Sequence, residues 1–402
     1  MFAKQKNSLK PFCNLRWKAL ALISVAILLA SCGDSRNGLT IAAVGPLTGA
    51  AAARGKDLER AVRMAVDEAN AAGGVNGKKV LVDVYDDGDQ PARARELALK
   101  IASTTPALAV LGQVASQAAV AAGQVYKEQG IVAVTGAASE ARVTRDNPWF
   151  FRLFRDASGQ GRFLADYVRY RFGARQIAVI RDVGTAGDEF ASALRDRAKS
   201  DGIRISADLE FTPKEAHDHA RLDEIAQKLS SLPKGQIIVL GTQYGDTPDL
   251  LRVLRDKLGS FPSLGYSSLA TDNLSKQFAE AESARHTPGY YTDGFTVAAP
   301  QLPDVAEYTQ MAFASRYKAR YDADPSPEGV RWYEGARMIL QAARATGVGG
   351  ANRAEDRRRI RDWIAARKRA DSAAEGVGGP FILTTITMSS AGSRSERFTR
   401  GD

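Results

Sequence analysis

From Leu39 onward, short apolar runs of strand character alternate with longer segments whose apolar residues recur every three or four positions. This alternation leaves few folds, because a strand followed by a helix that doubles back builds a parallel sheet covered by helices. Leu39 to Val44 is a first strand, and the helix after it places Leu58, Ala61, Val62, Ala65, Val66 and Ala69 on one stripe. Asn70, Gly73-Gly74 and Asn76-Gly77 end that helix. Lys79 to Tyr85 is a second strand, and Asp89 is an N-cap candidate for a helix carrying Ala94, Leu97, Ala98 and Ile101. Ala107 to Leu111 and Ile131 to Val134 follow as the third and fourth strands. A second series starts after Phe150–Phe154, with strands predicted near 176–181, 203–211, 236–240, 263–264 and 290–297. Three helices close it, near 303–321, 328–346 and 351–370. Two α/β halves without a low-complexity linker predict two lobes joined by crossing strands, with a cleft between them.

The N-terminus is set apart from this pattern. Lys4, Lys6, Lys10, Arg16 and Lys18 precede an apolar run, Ala19 to Ala30, that is too short to span a bilayer. Residues 1–31 are therefore read as a signal peptide. Its removal deletes five positive charges and no negative ones, so a formal charge of +9 falls to +4. The basic balance is thus partly a property of the signal, and nucleic-acid binding loses its main support. Cys13 leaves with the signal, which leaves Cys32 without a disulfide partner.

Two serine-bearing turns carry the functional signal. Gly112-Gln113-Val114-Ala115-Ser116 follows the third strand and Thr135-Gly136-Ala137-Ala138-Ser139 the fourth. A strand that stops at such a turn and restarts as a helix directs unpaired backbone N–H groups above the sheet edge. Two of these turns can converge on one small anion such as a carboxylate. The alternative for both hydroxyls is helix capping alone.

At this point the sequence resembles a known family. Gly45-Pro46-Leu47-Thr48-Gly49, the helix ending Asp67-Glu68-Ala69-Asn70 before Gly73-Gly74-Val75-Asn76-Gly77, and Asp86-Asp87 before Asp89 resemble the leucine/isoleucine/valine-binding proteins. The resemblance covers roughly Leu39 to Ala345. It implies the type I periplasmic-binding fold: α/β, two Rossmann-like lobes with parallel sheets joined by a three-crossing hinge. It implies lobe 1 over 38–153 with 299–378, and lobe 2 over 154–298 with 379–388. The polar, Arg- and Ser-rich tail 389–402 is expected to be disordered. Leu29-Ala30-Ser31-Cys32 resembles a lipoprotein processing site, which would make Cys32 the lipidated first residue and 32–37 a linker. The alternative is an ordinary secretory signal with Cys32 as a free thiol.

By the same resemblance, Ser116 matches a serine that binds the ligand carboxylate, and Ala137 and Ser139 match backbone and hydroxyl contacts. Other positions depart from the family. Arg54 and Ala186 stand where branched-chain amino-acid binders often carry aromatics, and Ser267 falls near an expected acidic partner of the ligand ammonium. Tyr244 is placed to close over the ligand. An arginine in the cleft favours an acidic or extended polar group, the alternative being a solvated helix-start residue. His217-Asp218-His219 has the wrong spacing for a helical metal site, and no nucleophile–base set is visible, so neither metal, cofactor nor enzymatic activity is expected. Arg357-Arg358-Arg359 is read as a solvated helix face. The function expected is an extracytoplasmic, membrane-anchored solute-binding protein on the periplasmic side. It would capture a small carboxylate-bearing solute, amino-acid-like or an organic acid, by hinge closure for an ABC importer, acting as a monomer. The alternative is a ligand-sensing receptor domain that signals to a membrane partner.

Overall fold

The computed structural model describes residues 38–366 apart from 234–235, 243–246, 267–268, 270–273, 275–276, 279 and 302–303. It adds the backbone of 382–387 and 394–397, and for 298–301 and 304–311 the backbone alone is described. Cys32, Tyr244 and Ser267 lie outside the described residues.

The first lobe begins with β1 (Leu39–Gly45), α1 (Ala52–Ala71), β2 (Val80–Asp86), α2 (Pro91–Thr104) and β3 (Ala107–Gly112). It continues with α3 (Ser116–Gln129), β4 (Val132–Thr135) and β5 (Phe150–Arg152). These strands form one parallel sheet in the order β2-β1-β3-β4-β5. Every residue of β1, β3 and β4 is buried, as a parallel sheet covered on both faces requires. Side chains alternate between the faces: Leu39, Ile41 and Ala43 join one core with Leu58, Val62 and Trp332, whereas Ala42 and Val44 join the other with Ala98, Ile101 and Tyr126.

The chain then enters the second lobe through α4 (Ala157–Arg171), β6 (Gln176–Asp182), α5 (Thr185–Ser200), β7 (Arg204–Phe211) and α6 (His219–Ser230). There follow β8 (Ile237–Gly241), α7 (Thr247–Leu258), β9 (Ser263–Gly265), a short α8 (Glu282–His286) and β10 (Phe295–Gln301). Five parallel strands stand in the order β10-β9-β8-β6-β7. Here too the pleat sorts residues, with Ile177 and Val179 facing α4 and α5 while Ala178 and Ile180 face α6 and α7.

Three helices return to the first lobe: α9 (Asp304–Tyr321), α10 (Pro327–Ala345) and α11 (Arg353–Ala365). Phe313, Tyr317, Trp332, Tyr333 and Ile360 from these helices pack into the core beneath β1 and β3. The last strands, β11 (Ile382–Thr387) and β12 (Arg394–Arg397), extend the second sheet in antiparallel fashion beyond β10. The architecture is the α/β, two-lobed fold expected from the sequence. Within the stretch expected to be disordered, Arg394–Arg397 forms β12, because β11 offers an open edge whose backbone groups it pairs.

The motif that carried the family resemblance is structural. Asn70 clamps Val80 with two hydrogen bonds, Nδ2 to the carbonyl at 2.9 Å and Oδ1 from the N–H at 2.8 Å. Gly74 has φ +76°, and a Cβ there would stand 2.1 Å from the Lys78 carbonyl oxygen, so only glycine closes this turn. Asn76 donates to the carbonyls of Ala343 and Val348, each at 3.0 Å, which fastens the turn to the end of α10. Asp86 gathers the loop after β1, accepting from the Leu47 N–H at 2.8 Å and the Thr48 hydroxyl at 2.7 Å.

One expectation about α11 is corrected. Arg357 is not part of a solvated face: it is 4% exposed, and its Nε and Nη2 donate to the Ala107 carbonyl at 3.0 and 2.7 Å. The helix runs across the start of β3 and brings the guanidinium to a buried main-chain carbonyl there. Burial lowers the Arg357 guanidinium to about 10. Arg358 and Arg359 do face solvent, paired with Glu355.

Candidate functional site

Ser116 opens α3, and its Oγ accepts the backbone N–H groups of Ser139 at 3.0 Å and Glu140 at 3.2 Å. One hydroxyl thus fastens the turn after β4 to the helix after β3, and its proton remains free to be donated. Thr135 completes the junction. Its hydroxyl donates to the Gln113 carbonyl at 3.1 Å and accepts from the N–H groups of Ala137 and Ala138 at 3.2 and 3.0 Å. The sequence predicts unpaired N–H groups at both turns, and the structure corrects this for the second. There the N–H groups of residues 137–140 are taken by the two hydroxyls, because the turn is too buried to leave them bare. Ala137 can therefore offer its carbonyl and not its N–H. At α3 the N-cap residue Ala115 makes no side-chain cap and its own N–H bonds the Asp89 carboxylate, so what this helix start can offer an anion is the N–H groups of its first turn.

Ser139 is 7% exposed and lies at the meeting of the lobes. Its carbonyl accepts from the Ala157 N–H at the start of α4, at 3.0 Å. Tyr266, just past β9 in the second lobe, is 2% exposed and lies close to Ser139. Burial raises the phenol far above its ordinary value, so it stays neutral. Arg152, at the crossing, donates Nε to the Ala138 carbonyl at 2.9 Å and Nη2 to the Glu140 carbonyl, bracing the turn from behind. From α5 the Glu189 carboxylate accepts the Ala141 N–H at 2.7 Å, a direct bond between lobes. Arg142 adds a longer contact to the Thr185 hydroxyl at 3.4 Å.

Arg54 lies at the start of α1 and meets Glu328 in a two-pronged ion pair, Nε to Oε2 at 3.0 Å and Nη2 to Oε1 at 2.7 Å. Its side chain is 43% exposed and that of Glu328 is 16% exposed. Burial opposes ionisation of Glu328, yet the charge and hydrogen bond of Arg54, aided by Arg331, hold the carboxyl below its usual range. Beside the pair, Asp57 accepts from Tyr317 at 2.5 Å and from the Ser326 hydroxyl.

Arg331, one turn into α10, is 5% exposed. Its Nε donates to the carbonyl of Gly136, in the same turn as Ala137 and Ser139. Its guanidinium carbon sits 4.9 Å from the centre of the Phe154 ring at the lobe crossing. Burial, with Arg54 adding repulsion, lowers it to about 10 although Glu328 and Asp57 act to raise it. Arg331, Glu328 and Glu189 belong to no motif that marks them in the sequence. A charged residue at the head of a helix rich in aromatics, Val330-Arg331-Trp332-Tyr333, was the available signal for the first.

The structure thus joins Ser116, Ala137 and Ser139 at one junction beside the second lobe, and places Arg54 at the head of α1, tied to Glu328. Among the described residues no group of His, Cys, Asp and Glu is arranged to hold a metal. Two α/β lobes that meet beside the carboxyl ends of parallel strands define the two-lobed class of ligand-binding proteins. The chain belongs to the periplasmic binding protein family, which it matches over residues 38–382. That family is one of solute-binding proteins and not of enzymes. A Pseudomonas aeruginosa protein described as an amino acid binding protein is 25% identical over 348 residues, covering 86% of this chain and 87% of the relative. The isoleucine-bound LivJ of Streptococcus pneumoniae superposes with a TM-score of 0.74 at 20% identity, over 90% of this chain and 99% of the other. A Rhodopseudomonas palustris (R. palustris) ABC-transporter solute binding protein holding benzoate gives 0.71 at 18% identity, over 90% of this chain and 96% of the other. At these identities the structural likeness speaks for the fold. Among the described residues no helix is long and apolar enough to cross a membrane.

Proposed function

We propose that this chain captures a small carboxylate-bearing solute outside the cytoplasmic membrane and delivers it, lobes closed, to an ABC permease. The observation that carries the reading is the Ser116 hydroxyl, fixed by two N–H groups of the neighbouring turn at the start of α3. A donor held in this way costs little reorganisation when a carboxylate arrives. Ser116 and Ser139 would hold the carboxylate, and the Ala137 carbonyl would accept from a ligand ammonium where one is present. Tyr244 and Ser267 would approach from the second lobe, with Arg54 at the rim. Isoleucine and benzoate, bound by two relatives of this fold, share a carboxylate and little else, which supports that group as the common feature. Removal of residues 1–31 and lipidation of Cys32 would keep the monomer at the membrane surface. A micromolar solute needs about −8 kcal/mol, within reach of a few charge-assisted bonds in a dry cleft.

A thermal-shift screen of amino acids, dicarboxylates, aromatic acids and their amides tests the proposal, since a ligand that binds the folded state raises Tm. Carboxylates should raise it and the matching amides should not. Equal shifts for acids and amides, or none for any carboxylate, would refute the reading.

A further inference from the structure

Arg54 offered the sequence a cation for the cleft, but Nε and Nη2 of that side chain are committed to Glu328. Arg331 is a buried cation with a donor left. It is 5% exposed, its Nε is fixed to the Gly136 carbonyl, and its buried Nη1 has no hydrogen-bond partner among the described residues. A buried guanidinium N–H without an acceptor is a costly arrangement that a protein keeps when something else completes it. Four neighbours locate it. Gly136 belongs to the turn that carries Ala137 and Ser139, Phe154 lies at the crossing between lobes, and Glu328 with Arg54 stands alongside. The side chain therefore sits where the first lobe, the hinge and the candidate carboxylate site meet. Gly136 keeps it there, because a Cβ at that position would stand 3.1 Å from the Arg331 Cβ and 3.2 Å from the Trp332 ring.

We infer that Arg331 forms a second subsite that takes another anionic oxygen of the same solute, so that the preferred ligand is a dianion. This rests on the proposed carboxylate site and extends it. The class of ligand is an acidic amino acid or a small dicarboxylate. The planar guanidinium suits a carboxylate, and the neighbouring Glu328 partly balances its charge while leaving Nη1 to the ligand. A purely aliphatic side chain would leave that N–H buried and unpaired, which is how a polar subsite rejects an apolar analogue.

Isothermal titration calorimetry on the whole chain, with two matched pairs of probes, tests this. L-Glutamate should bind at least tenfold more tightly than L-leucine, and succinate at least tenfold more tightly than butyrate. In Arg331→Met both ratios should fall below threefold. Where Arg331→Met does not fold, as judged by circular dichroism, Arg331→Lys should reduce the ratios and Glu328→Gln, which removes a repelling charge, should raise them at least threefold. Ratios near one in the native protein, or native ratios retained in Arg331→Met or in both substitute variants, would overturn the inference. The two failures are separable. Monocarboxylates that bind through Ser116 without a dianion preference refute only the second subsite, whereas no binding by any of the four probes refutes the carboxylate site itself.

Discussion

Replacing Ser116 by alanine should damage stability and binding through the same atom. The hydroxyl oxygen accepts two N–H groups, those of Ser139 at 3.0 Å and Glu140 at 3.2 Å, on residues only 7% and 4% exposed. Alanine removes both acceptor contacts at once and supplies nothing in their place. An orphaned buried N–H costs roughly 1–3 kcal/mol, and since the two bonds share one oxygen and the turn can relax, the sum should be about 2–4 kcal/mol. Urea denaturation followed by circular dichroism measures this, with attention to a separate transition for each lobe. Ser116→Thr keeps the hydroxyl and should retain most of the stability. Carboxylate affinity, measured by calorimetry where Ser116→Ala is folded, should fall by roughly ten- to a hundredfold, the worth of one charge-assisted bond. An alanine variant within about 0.5 kcal/mol of the native protein would show that the hydroxyl does not hold the turn together, and the reasoning would fail.

Two further outcomes follow from groups near the site. Asp87 is fully buried, and burial, with Asp89 and Asp86 adding repulsion, pushes its carboxyl up to about 6 despite the Asp89 N–H and Arg93. The folded state then holds this proton more tightly than the unfolded chain, so stability is full below about pH 4 and declines as pH rises towards 6. Asp87→Asn should stabilise the protein by about 2 kcal/mol at pH 8 and by almost nothing at pH 4, and urea midpoints of equal pH slope in the two proteins would contradict this. Glu189→Ala deletes the 2.7 Å bond to Ala141 between lobes. It should raise the radius of gyration in small-angle scattering and weaken ligand binding roughly fivefold, while Glu189→Gln keeps an acceptor and should lose less; an unchanged scattering profile and affinity would show that this bond does not hold the lobes closed.

Much of this was legible in the chain. The largely apolar β1, β3 and β4, the three-and-four spacing of α1, and the glycines at 73, 74 and 77 follow local rules of strand, helix and turn, and so they specify two α/β lobes without reference to distant residues. The serine-bearing turns could be placed at the sheet edge for the same reason. How their groups are used could not, because Ser116 meets Ser139 and Glu140 from 23 and 24 residues away. The meeting of Arg54 with Glu328 spans 274 residues, that of Arg331 with Gly136 195, and that of Arg357 with Ala107 250. Such pairings exist only once the late helices return to the first lobe. The amino-acid order determined which elements form and where the chain turns, since those depend on propensity and pattern over a few residues. Which charges are neutralised and which cation stays uncommitted beside the site was decided by tertiary packing, because a partner's charge acts only across the short distance that folding creates.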